Sequence, residues 1–421
     1  MLCFFTLSLF TVTLRGQVST NTTGLQLSRA DAVRQALSHN PALAAAREQV
    51  AQARAGVVIA GAFADPSIAL DVAGQTRALS LGSGNANDAG IGWTVPFPGK
   101  TGMRRAVATA DLRASEFSLD QLRQQIASDA AQAYDAILVA MQHRDDIRQS
   151  RDLANDFLAK TEHRFKAGTV PKLDVLKAEV DVSQAGNDLI ASERAVDTAR
   201  ATLNRIMGRS GAAPLTVTDT LDVPPPLPPG EELQKLAEAS RPEIQGLAAQ
   251  LQGAHTATRL AREYWAPDID VGLERNGADG VPASYTTSVG FGVPLFFWQH
   301  QRGEVASARH RERELAADVA DLRAEISLEV ENAWTSASTA LRQAIFIRDH
   351  LLPEAREVYR VASVSYGLGG SSALELLDAK RVLLDAESQY AEALGAANDA
   401  RAALELAIGA PLPEANDGDQ Q

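Results

Sequence analysis

The sequence predicts a mainly α-helical chain with a membrane β part. Duplicated long α-helical hairpins make up most of it, and four β-strands per chain must join those of other copies to close a barrel. Three observations predict this class. The chain repeats itself at a shift of 201 residues, four short segments alternate apolar with small or polar residues, and two helical segments of nearly 70 residues are almost free of proline.

The repeat is clearest at Phe165–Glu179, FKAGTVPKLDVLKAE, which aligns with Tyr366–Lys380, YGLGGSSALELLDAK. Gly168 matches Gly369, Leu173 matches Leu374, Asp174 matches Glu375 and Leu176 matches Leu377. In both copies a helix ends at a glycine and an acid opens the next apolar-periodic helix, where a carboxylate suits the helix N-terminus. Each copy therefore reads as the tip of a helical hairpin. The same shift relates Pro41 to Pro242, Pro66 to Pro267 and Gly208 to Gly409, so the whole unit of about 200 residues is duplicated. The repeats are placed at 27–210 and 231–410, joined by a proline-rich linker at 211–230 and followed by a polar, disordered tail at 411–421.

In chain order, residues 1–20 read as a signal peptide, with an apolar run too short to span a bilayer as a helix. The usual basic stretch ahead of that run is missing, and Cys3 precedes it, so no N-terminal lipid is expected. Ser28 and Asp31 have the spacing of a helix start, with Leu27 as a staple. Asn40-Pro41 marks either a break in one helix or a junction between two. From Ser67 to Ala73 the period becomes two, with Ile68, Leu70 and Val72 on one face. Ile91, Trp93, Val95 and Phe97 continue it after a Gly/Ser/Asn-rich loop, giving a β-hairpin over 67–97. The second copy gives another over 267–295, with Ile269, Val271 and Leu273 and then Tyr285, Thr287, Val289, Phe291, Val293 and Leu295.

These strands have one apolar and one small or polar face, the pattern of an outer-membrane barrel. Alternation alone fits equally a β-sandwich or hairpins packed on helices. Residues 99–166 contain no proline and would extend ~100 Å as a helix, and residues 298–366 match them except for Pro353. Return helices are expected over 172–208 and 372–409. A heptad series at Leu376, Leu383, Tyr390, Ala397 and Leu404, and a 3-4 pattern beginning at Leu173, Leu176 and Val180, predict coiled-coil-like packing.

Four strands cannot close a barrel, and open edges are not tolerated in lipid. Two copies would supply eight strands and a filled interior; three would supply twelve and a channel. Small and polar inward residues favour three.

The composition narrows the function. A net charge of −13 without an aromatic-interleaved basic patch argues against nucleic acid. Cys3 is the only cysteine, which excludes an intrachain disulfide and a thiolate metal cluster. His39, His143, His163, His255, His300, His310 and His350 show no ligand spacing, so no metal site and no cofactor are expected. No nucleophile elbow, phosphate loop or HExxH sequence occurs, and the chain does not read as an enzyme.

The order and spacing of LSRADAVRQALSHNPAL, VPFPGK, RFKAGTVPKLDVLKAE and SYGLGGSSALELLDAK resemble the TolC-like outer-membrane efflux proteins over nearly the whole chain. That resemblance implies a homotrimer in the bacterial outer membrane with a shared twelve-stranded β-barrel and a long periplasmic α-barrel. It also implies service as the passive exit duct of a tripartite efflux system, with a periplasmic adaptor and an inner-membrane transporter of the resistance–nodulation–division type as partners. Glu375 and Asp378 match the acidic positions that narrow the periplasmic entrance in the family. Spaced i, i+3, they share a helix face and would form two stacked anionic rings in a trimer; the plainer reading is two helix N-terminal acids on a solvated face.

Asp174 and Tyr366 match positions of the tip-to-tip links. Ser371 stands where some members have arginine, which predicts a lock that is missing or differently built. Arg164, Gly168 and Gly369 fall in the tip region presented to the adaptor. The junction VPFPGK, with Lys100 opening the long helix, is similar to the heavy-metal cation branch. The alternative is a soluble coiled-coil scaffold or periplasmic adaptor, which would stay in the aqueous fraction without detergent.

Overall fold

A computed structural model of the chain describes residues 25–73, 86–278, 281–292 and 297–412. The signal-peptide expectation and the end of the tail from residue 413 lie outside the described residues, as do Val293 and Leu295. The first repeat consists of β1 (Leu25–Leu27), α1 (Arg29–His39), α2 (Pro41–Gly61), β2 (Ser67–Ala73), β3 (Ala86–Val95), α3 (Lys100–Lys166) and α4 (Lys172–Ile206). After β4 (Leu215–Val217), the second repeat follows as α5 (Gly230–Ser240), α6 (Pro242–Arg262), β5 (Ile269–Ala278), β6 (Val281–Phe291), α7 (Phe297–Phe346), α8 (Leu352–Leu368) and α9 (Ala373–Ile408).

The duplication is visible in how the helices stop. Gly168 and Gly369 have φ of +73° and +83°, and Gly208 and Gly409 have φ of +70° and +74°, a region that side-chain-bearing residues rarely adopt. Asn40 separates α1 from α2 and caps the latter through its own side chain. Its Nδ2 also donates to the carbonyl of Ile206 at 2.8 Å, and the equivalent Arg241 donates through Nη1 to Ala407 at 2.8 Å. The end of each return helix is thus tied to the α1–α2 or α5–α6 corner of its own repeat, where otherwise unpaired carbonyls need donors.

The helix α3 runs unbroken for 67 residues, ~100 Å at the rise of an α-helix. Its counterpart is interrupted by a π-helical turn at Ile347–Leu351, immediately before Pro353. Proline lacks the N–H of the α ladder and its ring crowds the carbonyl four residues back, so widening the turn relieves the clash. The frequent alanine serves close helix contact: Ala110, Ala114, Ala130, Ala131 and Ala133 are buried along α3. At Gly395 a Cβ would come within 2.6 Å of the Val139 Cγ2, so α3 and α9 touch where only glycine fits.

Leu376, Leu383, Ala397 and Leu404 of the heptad series are buried on α9 and Tyr390 is half-buried. On α4 the buried stripe is instead Val175, Ala178, Ala185, Leu189, Val196 and Leu203, while Leu173, Leu176 and Val180 stay exposed.

The four longer strands form one antiparallel sheet in the order β2-β3-β5-β6, which joins the two repeats at its centre. Ile68 pairs with Ile91, Ile91 with Leu273, Trp93 with Val271, and Val271 with Val289, so the apolar residues of all four strands share one face. Among the described residues nothing covers that face: Ile68, Leu70, Val289 and Phe291 are each more than 60% exposed, and both β2 and β6 have one side unpaired. β3 ends at Val95, short of Phe97, and β6 ends at Phe291. At the base of the sheet Phe63 meets Trp93 edge-on at 6.0 Å, and Phe97 lies 6.3 Å from Trp265. Lys100 Nζ donates to the Ala266 carbonyl at 2.5 Å and to Asp268 at 3.0 Å, stitching the strand-to-helix junction of the first repeat to the helix-to-strand junction of the second.

One sheet was not legible in the sequence. Within the proline-rich linker β4 pairs in parallel with β1, forming a strap across the middle of α3. Tyr134, fully buried, anchors it: its hydroxyl donates to the Leu27 carbonyl at 3.0 Å and accepts from the N–H groups of Thr218 and Asp219. Beside it Arg29 pairs with the buried Asp135 at 3.1 Å and donates its backbone N–H to Asp219. Burial pushes the Asp135 carboxyl up to about 6, and Arg29 only partly offsets it.

Because the folded carboxyl binds its proton more tightly than the unfolded one, this group adds stability as pH falls from about 6 to about 4 and withdraws it as pH rises through that window. The difference in melting temperature between wild type and Asp135→Asn is expected to change across that window and to be flat above pH 7. A difference that did not vary with pH would contradict the assignment.

Candidate functional site

The two hairpin tips converge. In the first, α3 closes on Gly168, whose N–H reaches the Phe165 carbonyl at 2.9 Å, and Thr169 N–H returns to Arg164 at 3.0 Å. In the second, Gly370 N–H returns to Ser365 at 2.9 Å. Tyr366 lies between the tips, 2% exposed, with its ring 5.4 Å from Phe157 and its hydroxyl 3.0 Å from Thr161 Oγ1. Arg164 donates through Nη1 to the Tyr366 carbonyl at 2.8 Å, and its guanidinium carbon sits 4.6 Å over the same ring. Hydrogen bond, cation–π contact and apolar packing thus all join the first hairpin to the second through one tyrosine.

Of the residues marked in the sequence, Tyr366 and Arg164 are brought into direct contact, and Gly369 lies beside them: a Cβ there would be 3.8 Å from Arg164 Nη2. Gly168 ends the first hairpin as a turn residue open to solvent. Asp174 sits half-buried in the first turn of α4, with its backbone N–H on the Pro171 carbonyl, and among the described residues its side chain does not meet Tyr366. Ser371 turns back on its own hairpin, Oγ to the Ala362 carbonyl at 3.3 Å, and the arginine between the tips is Arg164. Thr161 was missed, since 205 residues separate it from Tyr366 and no periodicity links such positions.

Glu375 and Asp378 are both exposed on α9 just beyond the second tip. Glu375 also closes a capping box: its backbone N–H donates to Ser372 Oγ at 3.2 Å, and its carboxylate accepts from the Ser372 N–H at 3.1 Å. Asp378 pairs with Arg381 at 2.9 Å, an exposed contact of small energetic weight. Glu375 therefore has a local structural role as well as an outward-facing charge. Glutamine can keep the capping geometry without the charge, so Glu375→Gln separates the two roles. Stability is expected to be retained in Glu375→Gln and reduced by about 1 kcal/mol in Ser372→Ala, measured as urea midpoints.

A second acidic surface lies on the sheet face opposite the apolar one. Asp71 faces Asp88 directly across β2 and β3, and Glu274 faces Gly90. Thr94 Oγ1 donates to Asp270 at 2.6 Å. Among the described positions of this face no lysine or arginine occurs, and most of the rest are alanine, glycine, serine, threonine and asparagine. No group of three or more His, Cys, Asp or Glu among the described residues is arranged to hold a metal ion.

Comparison with known proteins agrees with this architecture. The model of the outer membrane efflux protein family matches residues 32–209 and 233–410, one match per repeat. The chain is 22% identical over 367 residues to the cobalt-zinc-cadmium resistance protein CzcC of Cupriavidus metallidurans, covering 87% of this chain and 86% of that one. It is 24% identical over 395 residues to the pyoverdine export outer membrane protein OpmQ of Pseudomonas putida, covering 88% and 83%. Among solved structures, that of CusC, described through its folding and transmembrane channel formation, superposes with a TM-score of 0.77 at 17% identity over 94% of this chain and 96% of that one.

Proposed function

The chain belongs to the outer membrane efflux protein family, and on that premise we propose that three copies together form the exit duct of a tripartite efflux system for heavy-metal cations. It is an outer-membrane efflux channel with a long periplasmic helical part. The observation that carries the trimeric reading is the four-stranded sheet with its uncovered apolar face and two unpaired edges. In lipid every backbone N–H and C=O needs a partner, so β2 of one copy must pair with β6 of the next. Three copies place twelve strands in the ring and leave a wet lumen.

Cation cargo is supported by the inward face. Asp71, Asp88, Asp270 and Glu274 would project into the lumen from each copy, and such a wall concentrates cations and repels anions. CzcC, whose name specifies cobalt, zinc and cadmium, favours the same cargo, whereas OpmQ exports pyoverdine. The tips, with Arg164, Gly168 and Gly369, face a periplasmic adaptor that connects the duct to an inner-membrane transporter of the resistance–nodulation–division type. Glu375 and Asp378 narrow the periplasmic end, and the Tyr366 links, with Asp174 at the neighbouring helix start, hold the entrance in its resting form.

The constriction is tested in planar bilayers. Glu375→Gln with Asp378→Asn is expected to relieve the block that a divalent cation imposes on single-channel current by about tenfold in blocking concentration, equivalent to ~1.4 kcal/mol of lost attraction. Unchanged block would remove these two residues from the constriction.

A further inference from the structure

We infer that Asp181 and Lys380 form a second latch between the two hairpins, on α4 and α9, and that Lys380 positions the stretch of α9 carrying Glu375 and Asp378. This rests on the reading of those two acids as the narrowing of the duct. On α9 the buried stripe Leu376, Ala379, Leu383 and Ala386 runs at helical spacing, and Lys380 stands within it, its side chain only 7% exposed. On α4 Asp181 follows the buried Ala178 by three residues and precedes the buried Ala185 by four. Their charged ends meet at 2.8 Å. Neither residue has a charged equivalent of the same sign in the other repeat, where Val382 and Glu179 occupy the matching positions. The pair therefore belongs to this contact between repeats and not to the common hairpin design.

Its surroundings give it strength. The pair borders a cleft of about 660 Å³ whose walls combine Leu173, Leu176, Val180 and Leu377 with the charged Lys177, Asp188 and Arg381. Lys380 is shielded from water within its own stripe, so the attraction is screened less than between two charges on an open surface. Removing one partner leaves the other charge half-enclosed without compensation, which drives it toward water. Lys380 is two residues beyond Asp378, so α9 cannot move away from α4 at this level without carrying the constriction acids with it.

The Tyr366 contacts join α3 to α8; the Asp181–Lys380 pair joins α4 to α9. Opening therefore requires both contacts to release, and the second is a charge-assisted hydrogen bond that depends on the opposite charges of its partners.

The experiment is single-channel recording of purified trimers in planar bilayers. Lys380→Met and Asp181→Asn are each expected to raise conductance about twofold, while the exchanged pair Asp181→Lys with Lys380→Asp, and the conservative Lys380→Arg, conduct as wild type. Divalent-cation block is expected to weaken in the two single variants, where Glu375 and Asp378 are present but no longer held in place, and to match wild type in Lys380→Arg and in the exchanged pair. Unchanged conductance in both single variants would overturn the latch, as would raised conductance in Lys380→Arg or in the exchanged pair, since charge pairing would then not be the cause. Loss of the trimer in both single variants would also overturn it, by making the pair a requirement for assembly. A wild-type protein that forms no channel would instead remove the duct reading itself.

Discussion

Leu273→Arg is expected to abolish recovery of folded trimer from the outer membrane, while Glu274→Arg, one residue along, folds and inserts. Leu273 lies mid-strand in β5, paired with Ile91 on one side and Thr287 on the other, on the uncovered apolar face. Arginine at that depth on a lipid-facing surface costs about 2–4 kcal/mol, and a symmetric trimer would carry it three times. Glu274 points to the other face, where a charge meets water and changes selectivity in place of stability. The measurement is refolding of the urea-unfolded protein into phospholipid vesicles, followed by its electrophoretic mobility without heating. Equal refolding of the two variants would mean that the faces are not divided between lipid and lumen.

Tyr134→Ala has the next largest expected effect, away from both membrane and tips. Tyr134 fills the core below the strap, and replacing a buried aromatic by alanine costs about 3–5 kcal/mol in lost transfer energy and cavity. Tyr134→Phe keeps the ring and loses the hydroxyl, leaving the Asp219 N–H without its acceptor, at about 1–3 kcal/mol. The two variants should lower the urea midpoint in that order. Both should expose the 211–230 segment to protease, because the strap that crosses α3 is held from below by this side chain. A Tyr134→Ala protein as stable as wild type, with the segment still protected, would show that the linker is fastened elsewhere.

Much of the fold was legible because its signals are local or periodic. Ser28 and Asp31 form the expected capping box, Pro41 opens α2 at its first position, and Ile68, Leu70, Ile91 and Trp93 alternate as strand residues must. The turn glycines 201 residues apart announced two hairpins with the same stop. What could not be read were contacts made only in three dimensions. Nothing in LQL and LTV marks them as partners, since three residues carry too little period and 190 residues separate them.

At the tips the sequence supplied Tyr366 and Arg164 but neither their contact with each other nor Thr161. Leu173, Leu176 and Val180 have helical spacing yet line a cleft, because periodicity shows which face is apolar and not what covers it. Lys380 did leave a trace: a lysine inside an apolar stripe signals an acidic partner, here Asp181, 199 residues away.

The number of chains in the detergent-extracted particle tests most directly whether the duct is built by pooling strands. Light scattering corrected for bound detergent should give three chains for the wild type. A cysteine pair placed on β2 and β6 should cross-link neighbouring copies into a closed trimer. A particle with one chain that still conducted in a bilayer would contradict shared closure of the barrel, because four strands with two unpaired edges cannot by themselves line a pore through lipid.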